Sequence, residues 1–365
     1  MPSSGCGPFW TIIKPPKKIG VLADDWTGAG DVGLAFWRSG FETALWAPVG
    51  RGLRPPRRAR VWVIDTESRH LPPAAAARRV RLAVRALKAW GAAFLYKKVD
   101  STLRGPVGAE LSAFLKATGP GRPAVFVPAH PRLGRTTRLG VHYVHGVPLG
   151  RTAAGRDPRA PVRSSRVTDI LGPAAAPHLF RVPDVGSVSA LSAAARSVLR
   201  AGDTRAVGSS ALAGVLAAGW GRRRSTMTFP RLPRWVVVSG SAHPASRAQS
   251  ADGRGRRFKA TAVTVLEAPV VPGHPARIAA QLRRRASRFS RGLSPAQRRR
   301  TGWWVAGGET AFGLVRLWKM PAWRVAGAVD DGVALLRSEG RAGRWMVPKP
   351  GGFGRPHLIW RALGK

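Results

Sequence analysis

Acidic residues are scarce in this chain: 18 Asp plus Glu stand against 61 Lys plus Arg, and the 365 residues carry a formal net charge of +43. Taken alone, that imbalance points to nucleic acid or an anionic surface. The arginines are spread along the whole chain with abundant Ala, Gly, Pro and Trp, as general compositional drift would leave them, and no RNA-binding or zinc-finger motif accompanies them. The local clusters Arg54 to Arg60 and Arg283 to Arg300 therefore read as solvated faces that meet nucleic acid only non-specifically. Cysteine is nearly absent too. The single thiol, Cys6, excludes an intramolecular disulfide and a cysteine-based zinc cluster. No run of about 18 apolar residues occurs, and the opening MPSSGCGPFW lacks a basic stretch followed by an apolar one. The expectation is a soluble, cytoplasmic protein with no membrane partner. G-x-x-x-x-G-K-[ST] occurs nowhere, which excludes a P-loop nucleotide site.

What is present begins with Lys18 to Asp31, KIGVLADDWTGAGD. Ile19, Val21 and Leu22 read as a buried strand, and Thr27 to Gly33 as a turn opening the next helix. With acids so rare, adjacent Asp24 and Asp25 at a strand exit are candidate site residues. Gly28, Gly30 and Gly33 spell G-x-G-x-x-G, the dinucleotide fingerprint, but in that motif the first glycine ends the strand directly. Here four residues intervene, and two of them place negative charge where a pyrophosphate needs donors. A second reading notes that DWTGAGD resembles the signature of ribokinase-like sugar kinases, which belongs late in such chains rather than at residue 25.

Strands continue at Thr43 to Trp46, Val61 to Ile64, Ala92 to Tyr96 and Ala124 to Val127, alternating with helices that start at Pro72/Pro73 and near Pro106. Such alternation predicts right-handed βαβ units and a parallel sheet, in which ligands bind at the carboxyl ends of the strands. Asp24/Asp25, Asp65/Glu67 and Lys98/Asp100/Arg104 all fall at such ends, and six of the 18 acids (24, 25, 31, 65, 67, 100) lie there. Helix or turn capping is the competing role, especially for Asp31 and Asp65. Carboxylates mixed with Lys98 and Arg104 suit a small polyhydroxylated acid, with arginine gripping its carboxylate and an aspartate accepting a hydroxyl proton. His142 and His145, in GVHYVHGVPL, read as packing or surface histidines of a hairpin.

Arg166 to Ala201 gives weak signals, and GSSALAG at Gly208 reads as a turn entering a helix. An inter-domain linker is expected near Arg222 to Arg234, since a chain this long exceeds what one core supports. Beyond it, strands at Trp235 to Val238, Trp303 to Ala306 and Arg344 to Val347 end in Ser239-Gly240-Ser241, Gly307-Gly308-Glu309-Thr310 and Lys349-Pro350-Gly351-Gly352. Three small-residue exits let backbone N–H groups approach a polyphosphate. Another strand is expected at Thr261 to Leu266.

Together these blocks resemble the four-carbon acid sugar kinases. The matching stretches are IGVLADDWTGAGDVG, DTESR at Asp65, YKKVDSTLRGPVGAEL at Tyr96, LGRTTRLGVHYVHGVPL at Leu133, VVVSGSAHPASRAQ at Val236, GGETA at Gly307 and KPGGFG at Lys349. KKVDSTLRG and KPGGFG are the specific ones. Gly30, Glu309 and Ala242-His243 depart from the usual pattern, and Asp169 to Ser209 is short for it. The resemblance implies two α/β domains, each with a mainly parallel sheet flanked by helices and the active site in the cleft between them: a tail at 1–16, a sugar-acid-binding domain at 17–225 and a nucleotide-binding domain at 226–365. It implies ATP and Mg²⁺. Asp24 and Asp25 are the candidate catalytic pair; Lys98, Asp100, Arg104, Asp65 and Arg135 are assigned to the substrate. Ser239, Ser241, Gly307, Gly308, Glu309, Thr310, Lys349, Gly351 and Gly352 are assigned to ATP. The alternative is a decayed paralogue that binds polyanions.

Overall fold

A computed structural model describes residues 14–47, 55, 58–176, 178–224, 229–240, 246, 248, 249, 261–267, 275–340, 343–351, 354, 355 and 357–363. Cys6, Ser241, Gly352 and most of the expected tail lie outside the described residues. Among the described residues, no helix is long and apolar enough to cross a membrane.

The first half runs β1 (Ile19–Ala23), α1 (Trp26–Arg38), β2 (Thr43–Trp46), β3 (Val61–Asp65), α2 (Pro73–Ala89), β4 (Phe94–Lys98), α3 (Val107–Thr118) and β5 (Ala124–Val127). A small antiparallel sheet follows, β6 (Arg135–Arg138), β7 (Val141–Val144) and β8 (Val147–Pro148), then α4 (Val167–Leu171), β9 (Phe180–Arg181), α5 (Val188–Arg200), β10 (Arg205–Gly208) and α6 (Ser210–Trp220). The second half runs β11 (Arg234–Ser239), β12 (Ala262–Glu267), α7 (Pro275–Arg291), α8 (Pro295–Arg299), β13 (Thr301–Ala306), α9 (Gly308–Leu317), β14 (Ala322–Asp330), β15 (Val333–Ser338), β16 (Trp345–Lys349) and α10 (Leu358–Leu363).

The α/β class with largely parallel strands flanked by helices is what the sequence predicts. The two halves nevertheless share one 13-stranded sheet, in the order β12-β11-β13-β16-β15-β14-β2-β3-β1-β4-β10-β5-β9. Its seam is antiparallel: Ala322, Trp323 and Arg324 of β14 pair with Trp46, Leu45 and Ala44 of β2. Both β15 pairings are antiparallel as well, and the remaining ladders of this sheet are parallel. The buried parallel strands are apolar on both faces because helices cover both.

Helix α1 straddles the seam. Its glycines form no turn, for the helix starts at Trp26 and takes in Gly28, Gly30 and Gly33 without a positive φ at any of them. Their service is close packing. A Cβ on Gly33 would lie 3.3 Å from both Leu45 Cδ1 and Val325 Cγ2, and one on Gly30 would lie 3.5 Å from Pro348 Cγ. The literal dinucleotide fingerprint is thereby explained as helix-on-sheet contact, and its first glycine belongs to a helix already capped by an aspartate. On this face one continuous core runs from Val21, Val32 and Phe36 through Trp323 and Val325 to Trp303 and Val238. Trp26 and Trp323 meet edge to face across the seam, 6.3 Å between centroids. The opposite face carries separate cores, one under α2 and α3 and one under α10. Residues 222–224 of the expected linker lie against α1, with Arg224 N–H donating to Arg38 O at 2.9 Å and its guanidinium paired with Glu42.

Candidate active site

At the exit of β1, Asp25 caps α1: its Oδ1 accepts from Gly28 N–H at 3.0 Å and its Oδ2 from Thr27 Oγ1 at 2.5 Å. Sequence reasoning set capping against function, and Asp25 performs the first while placed for the second. Arg69, delivered by the turn after β3, joins both aspartates. Its Nε donates to Asp24 Oδ2 at 2.6 Å and its Nη2 to Asp25 Oδ1 at 2.7 Å, with Arg69 and both aspartates nearly buried. Burial opposes ionisation of Asp24, yet Arg69, Lys97 and Lys98 outweigh it and hold the carboxyl below its usual range.

The β3 exit is a different environment. Asp65 Oδ1 accepts from Glu67 N–H at 2.8 Å, and Glu67 sits in left-handed backbone at φ 43°. Burial, reinforced by the neighbouring Glu67, raises Asp65 well above the ordinary carboxylate range; burial and Asp25 push Glu67 up to about 8. The β1 exit therefore holds a carboxyl kept below its usual range and the β3 exit two that are pushed above theirs. Behind them, Glu110 accepts a hydrogen bond from Ser68 Oγ and pairs with Lys97 at 2.8 Å.

At the β4 exit, Asp100 accepts from Thr102 Oγ1 at 2.6 Å and pairs with Arg104 at 2.5 Å. Burial works against its charge, but Arg104 and Arg69 drive its carboxyl well down. Arg104 Nη1 also reaches Asp157 Oδ2 at 3.4 Å, so two of the three guanidinium nitrogens lie on the chain's own carboxylates. A Cβ on Gly28 would lie 3.5 Å from Lys98 Nζ, which places that ammonium beside the start of α1. Arg135, at the start of β6, donates to Leu133 O at 2.6 Å. His130, held down to about 4 by burial and by Arg135, completes this side. His142 is a packing histidine, its Nδ1 3.0 Å from Thr137 Oγ1 and its Nε2 2.9 Å from Ser101 O, in the expected β6–β7 hairpin.

Among the described residues, three side chains around these exits keep a buried polar atom without a partner, Asp24 Oδ1, His130 Nδ1 and Arg135 Nε, while the carboxyls of Asp65 and Glu67 bond to each other. Buried polar atoms are rarely left so, and a ligand rich in hydroxyl and carboxylate oxygens fits such a set.

The second half presents backbone instead. Gly240 N–H donates to Ala306 O at 3.0 Å and Gly307 N–H to Lys349 O at 3.0 Å, so the exits of β11, β13 and β16 are stitched side by side. Gly307 has φ 110°, a conformation glycine favours, and serves as N-cap of α9 with no side-chain cap. Among the described residues no side chain caps the first N–H groups of α9. Thr310 is buried and packs on Gly240, where a Cβ would lie 2.3 Å from Thr310 Oγ1. Ser239 is buried at the end of β11. Burial pushes Lys349 down to about 8; its Nζ donates to Ser246 Oγ at 3.0 Å, Pro350 O at 3.0 Å and Gly351 O at 3.1 Å, which ties down the Gly351 turn. Glu309 pairs with Arg159 of the first half at 2.6 Å.

The two sets of exits meet at Gly308. A Cβ there would lie 3.1 Å from Asp25 Oδ2 and 3.3 Å from Thr27 Oγ1. The structure thus brings Asp24, Asp25, Asp65, Lys98, Asp100, Arg104 and Arg135 to one end of the sheet, with Gly308 against Asp25. Sequence reasoning missed Arg69 as a site residue. Its one signal was its place in the DTESR block, since a single arginine does not stand out among so many.

The family description "Sugar-binding N-terminal domain" matches residues 19–213, more than half of the chain. The chain belongs to the four-carbon acid sugar kinase family. Curated relatives include the D-threonate kinase of Bordetella bronchiseptica, 46% identical over 159 residues that are 42% of this chain and 39% of the relative. The D-erythronate kinase of Heliobacterium modesticaldum is 39% identical over 156 residues, 42% of this chain and 36% of that one. The match therefore spans less than two fifths of the length of these acid sugar kinases. A solved structure from Salmonella typhimurium LT2 superposes with a TM-score of 0.75 at 20% identity, covering 94% of this chain and 98% of the other, a likeness of fold. A domain from Bordetella bronchiseptica, solved with bound citrate as a domain-swapped dimer, is 30% identical, with a TM-score of 0.51 and coverage of 95% and 98%.

Proposed function

We propose that the protein is an ATP-dependent kinase that phosphorylates a hydroxyl of a four-carbon sugar acid of the threonate, erythronate or oxo-tetronate type. The observation that carries this reading is the contact of Asp25 with Gly308, which sets a carboxylate against the uncapped N-terminus of α9. Residues 17–225 bind the acid and residues 226–365 the nucleotide. Asp25 orients the acceptor hydroxyl and takes its proton as that oxygen bonds to the γ-phosphorus and the bond to the leaving ADP breaks. Arg69 and Lys98 balance the charge gathered there, and Arg104 and Arg135 face the substrate carboxylate. The carboxyl pair of Asp65 and Glu67 meets the other hydroxyls.

The nucleotide phosphates fit the uncapped α9 N-terminus and its glycines, where the helix dipole and free N–H groups favour anions. Lys349 serves there by shaping the Gly351 turn. Mg²⁺ typically needs one or two carboxylates besides the phosphates, and Asp24, whose Oδ1 has no partner among the described residues, would be the one to hold it; bound, it would neutralise charge on the transferred group. The names of the curated relatives support the acid, and the citrate of the Bordetella bronchiseptica domain is likewise a hydroxylated carboxylic acid. An intact set of paired carboxylates and cations weighs against a decayed polyanion binder. A cytoplasmic location accords with this chemistry. A coupled ADP-release assay across D-threonate, D-erythronate and 3-oxo-tetronates is the test: ATP-dependent turnover of one of them is expected, and folded protein that turns over none would overturn the reading.

A further inference from the structure

The segment between β8 and α4 leaves the sugar-acid side and reaches the second half. Asp157 fixes it: its Oδ1 accepts from the N–H groups of Arg159 at 3.0 Å and Ala160 at 2.9 Å, a turn that locks the backbone carrying Arg159. The other oxygen of Asp157 takes Arg104, which is paired with Asp100. The Arg159 guanidinium then meets Glu309 at 2.6 Å. Two sets of ion pairs, joined by the backbone turn that Asp157 caps, thus connect the KKVDSTLRG exit to the first turn of α9.

The pair at the end of this run is unlike the buried pairs behind it. Side chains of Arg159 and Glu309 are 30% and 35% exposed, against 11% and 4% for Arg69 and Asp24. Exposed pairs contribute little to stability, so this one can exchange partners at small cost. Glu309 stands one residue beyond Gly308, the residue lying against Asp25. Its carboxylate occupies the place beside the uncapped helix start where an anion is favoured.

We infer that Arg159 is a phosphate-contacting residue delivered across the cleft by the sugar-acid half, and that Glu309 holds its guanidinium until the γ-phosphate of the nucleotide takes its place. This rests on the kinase reading above. The planar fork of arginine suits phosphate oxygens, and an arginine brought in from outside the nucleotide site stabilises the charge of a transferring phosphoryl group. The Asp157 turn keeps the guanidinium from having to be ordered at the moment of transfer.

The test is calorimetric titration of a non-hydrolysable ATP analogue and of ADP into the full chain, with turnover measured alongside. Arg159→Ala should weaken the ATP analogue about tenfold while leaving ADP within about threefold, and lower kcat by about 10²-fold or more. Arg159→Lys, which keeps the charge without the fork, should fall between wild type and Arg159→Ala. Glu309→Gln, which releases Arg159, should bind the ATP analogue at least as tightly as wild type. Wild-type binding and turnover together with an Arg159→Ala variant unchanged in both would overturn the inference alone. A wild-type chain that binds neither nucleotide would overturn it together with the kinase reading.

Discussion

The strand exits of the first half are made of side chains, and those of the second half of backbone. Asp24, Asp25, Arg69, Asp100 and Arg104 are carboxyl and guanidinium side chains that hold one another at 2.5 to 2.7 Å, buried except for part of Arg104. Gly240 and Gly307 spend their N–H groups on the neighbouring strands, and Gly308 opens a helix whose start lies against Asp25. On the kinase reading proposed above, the difference follows from what each side would bind. A small chiral acid must be told apart by the placement of its hydroxyls, which takes directional side chains with fixed geometry. A polyphosphate offers charge without much shape, and a helix terminus free of Cβ obstruction meets it.

The largest break in this comparison should come from Asp25→Asn. Asparagine caps a helix about as well as aspartate, so α1 and the fold should survive while proton acceptance is lost. Turnover should fall by about 10²–10⁴-fold with nucleotide affinity retained, as an equilibrium titration would report; loss of ATP binding would mean the two halves have been assigned the wrong way round. Next comes Gly307→Ala. A side chain at φ 110° is strained by about 1–3 kcal/mol, and distortion of the α9 start should raise the KM for ATP by about tenfold or more, since each 1.4 kcal/mol is a factor of ten, with the KM for the acid unchanged. A rise in both would show that the backbone site and the side-chain site are not separable.

The smallest effect sharpens the contrast within the first half. Glu67 ionises near 8 in the folded chain against 4.5 unfolded, raised by burial and by Asp25. Below 4.5 both states keep the proton; as pH rises toward 8 the unfolded chain releases it first, so the folded state loses stability over that window and no more above it. Glu67→Gln should therefore raise Tm by roughly 2–4 °C at pH 8 and converge with wild type below pH 4.5. Equal curves at all pH values would mean that Glu67 is ionised in the folded protein.

Much of this was legible in the chain. Apolar runs ending in charged or glycine-rich residues located β1 to β5, β11, β13 and β16 within a few residues, because buried parallel strands are uniformly apolar and their exits are not. The hairpin of β14 and β15 was not seen: register shifts at Val325/Gly327 and Ala328/Asp330 break the two-residue alternation that announces a strand. β10 is four residues long, and α5 is built mostly of Ala and Ser. The glycines of α1 misled for a different reason. A local window reads them as a turn, but they exist for Leu45, Val325 and Pro348, which lie far along the chain. Arg69 and the Arg159 pair with Glu309 are likewise facts of tertiary placement.

Nine of the chain's 18 acids, Asp24, Asp25, Asp31, Asp65, Glu67, Asp100, Glu110, Asp157 and Glu309, lie at or just behind this one end of the sheet, on a body whose formal charge is +43. A small anion diffusing in is drawn by the surrounding surface from every direction and meets negative charge only over the final approach, where Arg69 and Arg104 already compensate it. Fields of this kind can speed encounters by about 10–10³-fold, and they fade beyond about 8 Å at physiological ionic strength. On the kinase reading, the arginine excess would act on how fast anions arrive, while the chemistry would be left to the few groups that await them.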